Sequence, residues 1–433
     1  KRACVLMGIL RHALFVACTG LRMTGLTAQW RIIQRSPHEE ASQRPTQLAM
    51  KSPSRDNRRN MKTALHEQKL RDTMKTRVEA RLKRHEALFA QPWWRRPTER
   101  NCSNWLAWID AGSRGAHHAL GKAILPVGKT TPGFQVYSQN AQDGILRAIF
   151  ERIGVSNMRF VEFGFGYEKG DIHQELTDDD LDFYMSGLNT RLLAKRGWKG
   201  TYFDAETQSA KFDIRKSVLT EANIAEHFRN ASVPTEVDYV SIDVDSIDLW
   251  LMLGMLRGGF RPRVISSEFN PNFGAESKIA WNQTWRAYNW RSMYGASAAA
   301  LNHIATKFNY RALHMMPNLD IFFVRIDVLE QACDLDTVPT FAQLAKGKIP
   351  SRAHFPCEVE DAMWMVDVPL LLEGKLQAAH ERAAAEILRA ESQLSALRAH
   401  KLRPKCCQRT GTPICAGATL EVLSQSPYYP ISD

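Results

Sequence analysis

No Cys-x-x-Cys pair occurs among the eight cysteines of this 433-residue chain. Cys406, Cys407 and Cys415 sit in a tail without matching histidines. That pattern excludes the usual zinc ribbons and dithiol redox motifs, and it predicts reduced thiols in a protein that is not secreted. Long uninterrupted apolar runs are also missing. The longest near either end, residues 4–21, is broken by Arg11 and His12. A central Arg costs about 2.5–3.5 kcal/mol in a membrane helix, so a transmembrane anchor is not favoured there, and no other segment reads as spanning. Acids are scarce at the start, with only Glu39, Glu40 and Asp56 in residues 1–60. A segment poor in acid and rich in Arg, Ser and Thr has the composition of an organelle transit sequence, so an intracellular protein is expected, with organelle targeting as one option for it. Internal repeats are absent.

The formal net charge is +11, and it is unevenly placed. Residues 1–100 carry 22 Lys/Arg against 8 Asp/Glu, a balance of +14, which leaves −3 for the rest. The basicity therefore belongs to the N-terminal region. Such an arm suits nucleic acid or an acidic membrane surface, but a targeting or disordered segment is the simpler expectation. Trp93-Trp94 beside Arg95-Arg96 has the makings of a base-stacking platform, although such pairs more commonly pack a helix end.

Five regions follow from texture. Residues 1–60 read as a targeting or disordered basic segment, and residues 61–130 as a charged helical extension and linker. Residues 131–375 read as the main domain, 376–403 as a C-terminal helix, and 404–433 as a disordered tail. In the main domain short apolar runs alternate with helical stretches. The expected strands are Met158–Phe163, Gly200–Asp204, Val237–Asp243 and Val264–Glu268. Helices are expected over Gln142–Ile153, Thr190–Arg196, Glu221–Arg229, Leu249–Leu256 and Ala296–Phe308. Alternation of this kind predicts a parallel sheet covered on both faces. Tyr310–Met315 and Ile321–Ile326, joined by a four-residue turn, predict an antiparallel hairpin at the sheet edge.

The segment RFVEFGFGYEKG, Arg159 to Gly170, places glycines where the first strand must turn. Ligands of parallel sheets bind beyond the strands' carboxyl ends, and glycine allows close backbone approach. Glu162, Gly164, Gly166 and Gly170 are therefore candidate cofactor contacts. A dinucleotide fingerprint would need glycine at position 169, which is Lys169. The spacing suits S-adenosylmethionine better than NAD, because no pyrophosphate has to be seated. The next strand ends in Asp204, with Glu206 close behind, and a carboxylate there accepts ribose hydroxyls. A turn or cap acid is the competing explanation. The third strand delivers Asp243, Asp245 and Asp248. Asp243 should face the cleft, Asp245 should serve the same site, and Asp248 should begin the next helix. Ala123 to Thr130 imitates a P-loop, but it lacks the first glycine and carries Pro126.

These segments, in this order, resemble a class I S-adenosylmethionine-dependent methyltransferase, and more closely the FkbM-type methyltransferase family with its eukaryotic members. The supporting motifs are Tyr137 to Leu146 (YSQNAQDGIL), Asn189-Thr190 followed by Gly197-Trp198, SIDVDSIDLW, Glu268 to Gly274 (EFNPNFG), Tyr294-Gly295-Ala296-Ser297 and Asp320 to Arg325. The resemblance covers roughly residues 137–330 and extends toward 375. Gln142 departs from it, standing where an acid is usual, and residues 171–186 form an acidic insertion. The resemblance implies an α/β fold with a doubly wound, mostly parallel, seven-stranded Rossmann-like sheet and an antiparallel edge hairpin. Helical or disordered extensions would flank it at both termini. It also implies methyl transfer to a nucleophile, usually an oxygen. Carbohydrate, lipid, small metabolite and protein are all open as acceptors, with a small-molecule or carbohydrate acceptor expected. Asp243, Asp245 and Glu268 are the candidate bases, and His303 and His314 are weaker ones. A divalent metal on the same three acids is a subordinate alternative to a metal-free site. Trp281, Trp285, Tyr288 and Trp290 are candidates for an acceptor pocket or for ordinary packing. An NAD-dependent oxidoreductase and a non-catalytic binding protein on the same scaffold remain the alternatives. Nucleic acid through the basic arm is not the favoured partner.

Overall fold

A computed structural model of the chain describes residues 69, 72–73, 75–83, 99–110, 135–138, 140–164, 176–183, 188–244, 246–282, 294–317, 319–349 and 364–398. The expected targeting segment, the linker, the P-loop look-alike and the C-terminal tail lie outside them, as do Gly166, Gly170, Asp245, Trp285, Tyr288 and Trp290.

In chain order the main elements begin with α1 (Gln142–Ile153), β1 (Arg159–Phe163), α2 (Asp178–Phe183), α3 (Arg191–Lys195), β2 (Lys199–Asp204) and β3 (Ile214–Lys216). Then come α4 (Ile224–Asn230), β4 (Tyr239–Ile242), α5 (Asp248–Arg257), β5 (Val264–Glu268), β6 (Ile279–Trp281), α6 (Ala298–Lys307), β7 (Tyr310–Met315) and β8 (Asp320–Arg325). The last are α7 (Ile326–Ala332), α8 (Phe341–Ala345), β9 (Met365–Asp367), α9 (Val368–Leu372) and α10 (Leu376–Arg398). Residues 75–83 and 103–110 are also helical.

Seven strands form one mixed sheet in the order β3-β2-β1-β4-β5-β8-β7. The first five are parallel, and β8 and β7 run antiparallel to their neighbours. The α/β class and the parallel sheet are as expected. The antiparallel hairpin lies at the sheet edge as expected, with β8 paired to β5 and β7 outermost. Three short strands were not foreseen. β3 is only three residues long, and β6 pairs with β9 across more than eighty residues of chain.

The strands alternate side chains between two cores, as a pleated sheet covered on both faces requires. On one face Val161, Phe163 and Phe203 pack with Phe228 of α4, Trp250 of α5 and Ile304 of α6. The Phe203 and Phe228 rings stack at 5.6 Å. On the other face Phe160 and Tyr202 pack with Ile149 and Phe150 of α1 and Leu192 of α3. The helices start where the chemistry predicts. Ser297 caps α6 by accepting from Ala300 N, and Thr340 with Gln343 forms a capping box on α8. Asp248 opens α5, and its carboxylate accepts from Val244 N at 2.9 Å and Ser246 N at 3.0 Å, so it closes the preceding loop.

At the sheet's amino end Asp238 is fully buried. It accepts from Ser156, Asn157 and Met158 backbone N–H groups and pairs with Arg263 at 2.6 Å. Cys102 and Cys333 are joined by a disulfide, which corrects the expectation of reduced thiols throughout. Their separation of 231 residues left no local spacing from which to foresee it. Among the described residues no helix is long and apolar enough to cross a membrane.

Candidate functional site

The parallel strands all point their carboxyl ends to one edge, and the strand order lines up Asp204, Gly164, Asp243, Glu268 and Asp320 along it. Adjacent strands lie about 4.8 Å apart, so these positions span one continuous rim. Gly164 follows β1 with a φ of +73°. A Cβ there would come within 2.2 Å of the Asp243 carbonyl oxygen. Only glycine lets the ends of β1 and β4 approach this closely.

Asp204 ends β2. Its Oδ1 accepts from Glu206 N at 2.8 Å and Thr207 N at 2.6 Å. The turn role weighed for this acid is thus real, and any ribose contact would share the carboxylate with that turn. Glu206 is exposed just beyond it. Asp243 and Glu268 are half-buried on neighbouring strands, and Glu268 lies in register with Asp320 of β8. Among the described residues no group of three His, Cys, Asp or Glu side chains is placed to hold a metal ion.

Glu162 points below the rim. It is buried, and its oxygens accept from Asn189 N at 2.7 Å, Thr190 N at 3.3 Å and the Thr190 hydroxyl. Burial pushes its pKa up to about 7. In this arrangement Glu162 anchors the entry to α3. Asp320, at the rim end of β8, turns its buried carboxylate down into the same layer, and burial raises its pKa to about 6. Gln142 Nε2 donates to Asp320 at 3.0 Å, and Asn189 Nδ2 reaches both Asp320 at 3.4 Å and the Ser241 hydroxyl at 3.1 Å. Ser241, Ser266 and Tyr239 continue the network through the sheet. Sequence reasoning noted Asn189 and Asp320 as parts of motifs but missed that they meet. Gln142 fits here for a physical reason: a second carboxylate would face Asp320 in a dry layer, whereas the amide donates.

His314 lies on β7 opposite Phe322 of β8, its ring beside the Phe322 ring, and His303 sits on α6 with its pKa lowered by burial and by Lys278 and Lys307. Trp281 belongs to β6, where its ring stacks on Trp364 at 6.2 Å and its carbonyl accepts from Trp250 Nε1. That is a packing role. A scan of protein-family models finds none that matches this chain, and a search of curated proteins finds no match either.

Proposed function

We propose that this chain is an S-adenosylmethionine-dependent methyltransferase acting on an oxygen of a small-molecule or carbohydrate acceptor. The observation that carries this reading is the rim itself. Gly164 is packed on the Asp243 carbonyl between two edge carboxylates, Asp204 and Glu268, in a sheet in which, among the described residues, β7 and β8 alone run antiparallel. That sheet is compatible with the Rossmann-like arrangement the FkbM-type resemblance implies, and helices on both faces support the reading further.

The rim residues fit the cofactor by their chemistry. Asp204 offers a carboxylate for ribose hydroxyls beside the backbone of Gly164, and the close β1–β4 packing keeps this floor rigid. When bound, S-adenosylmethionine supplies an electrophilic methyl on a cationic sulfur. The protein's task is then to position an acceptor hydroxyl and take its proton. Asp243 and Glu268 sit on adjacent strand ends and are the candidate bases, with Asp245 next in chain to them. The buried layer below, built on Glu162, Asn189 and Asp320, holds the entry to α3 against the sheet and so shapes the floor.

Calorimetric titration of the full chain with S-adenosylmethionine, and separately with NAD, tests the reading. Micromolar binding of S-adenosylmethionine alone is expected, weakened at least tenfold by Asp204→Ala. A folded protein that binds NAD, or neither ligand, overturns it.

A further inference from the structure

Arg159 and Lys199 are the first residues of β1 and β2, and the register sets them directly opposite one another. Neighbours in register share a face of the sheet, and like charges so placed repel. Among the described residues neither side chain forms an ion pair or a side-chain hydrogen bond, and Arg159 Nε is buried without a hydrogen-bond partner. Both line a cleft of about 360 Å³, together with Lys211 and Phe212. This volume is within the usual range for small-ligand pockets. The Lys211 ammonium lies over the Phe212 ring at 4.9 Å from its centroid.

The other charges lining the cleft are already matched. Arg191 pairs with Asp178 at 2.8 Å and Asp182 at 2.5 Å. Asp213, the acid in the wall, binds Arg215 at 2.9 Å and the Thr201 hydroxyl at 2.7 Å. What remains is a cluster of cations with no carboxylate partner, set against an apolar ring. By strand rise Arg159 is about 16 Å from Gly164, so this place is distinct from the rim.

We propose that the cleft at the start of β1 and β2 binds a small phosphorylated molecule, its phosphate held by Arg159, Lys199 and Lys211 and its apolar part against Phe212. The Arg159 fork matches two phosphate oxygens, and the lysines act as point charges. A bound dianion turns the cross-strand repulsion into attraction on both sides. The inference does not rest on the methyltransferase reading.

Phenyl phosphate is a suitable probe, because it carries the phosphate and a ring without resembling a nucleoside. Titration of the full chain should show binding of phenyl phosphate, weaker binding of inorganic phosphate, and none of phenol. Lys199→Gln should weaken phenyl phosphate at least tenfold while leaving S-adenosylmethionine titrations unchanged. Without ligand it should melt at or above the wild-type temperature, since it removes a repulsion. Arg159→Gln should weaken binding likewise, and Lys199→Gln decides the matter alone if that variant does not fold. Failure of phenyl phosphate to bind wild type, or equal affinity in Lys199→Gln, overturns the site. Equal affinity for inorganic phosphate and phenyl phosphate overturns the role given to Phe212.

Discussion

Replacing Gly164 by Ala perturbs the candidate site at its narrowest point. Two costs add. The residue sits at φ +73°, where an L side chain is strained by roughly 1–2 kcal/mol. The new methyl would also meet the Asp243 carbonyl oxygen at 2.2 Å, its carbon at 3.3 Å and the Val244 Cα at 3.7 Å. All three atoms are backbone, so no side chain can swing away, and overpacking of this sort costs about 1–3 kcal/mol. The total is about 2–5 kcal/mol, or a drop of roughly 4–20 °C in melting temperature for a domain of this size. Gly197 supplies the control. It has φ +84° and nothing within 4 Å of the place a methyl would occupy, so Gly197→Ala carries the backbone strain alone. Thermal unfolding of both variants separates the terms: Gly164→Ala should melt several degrees below Gly197→Ala, and its affinity for S-adenosylmethionine should fall as β1 is pushed from β4. Equal melting temperatures would show that β1 and β4 do not approach as described, and would refute the reasoning.

Glu162→Gln tests the buried layer. The Glu162 pKa rises from 4.5 to about 7 in the fold, so the group stabilises the protein fully below 4.5 and loses that contribution, about 3 kcal/mol, as pH climbs to 7. The variant should therefore show a flatter stability profile between pH 5 and pH 8 in urea denaturation, and an unchanged profile would contradict the assignment. Asp238→Ala should cost about 3–5 kcal/mol in the same assay, because it strands the buried Arg263 charge and three backbone N–H groups. A loss under about 1 kcal/mol would mean that loop water replaces the carboxylate.

The legible parts of this fold were those whose signal is local. The bounds of α1, β5 and β7 agree with periodicity and turn residues residue for residue. Asp248 was readable as a helix start because acid, turn and apolar run are contiguous. The missed strands β3, β6 and β9 have three residues each, too few for alternation to register, and β6 finds its partner only after the chain has returned. Glu162 shows the harder limit. A glycine-flanked acid at a strand end reads as a ligand contact, yet its oxygens are taken by Asn189 and Thr190, 27 and 28 positions on. Nothing in the residues between announces that meeting. The uncompensated pair Arg159 and Lys199 was likewise invisible until the register set them side by side.

The disulfide between Cys102 and Cys333 changes what the chain is as a topological object. All seven strands of the main sheet lie between its two ends, so the sheet and the candidate site occupy a covalently closed ring of backbone. A single proteolytic cut anywhere inside that ring opens it without releasing a piece. The nicked molecule keeps its mass and travels as one band until a reductant is added, so apparent integrity under non-reducing conditions says nothing about whether the rim loops are whole.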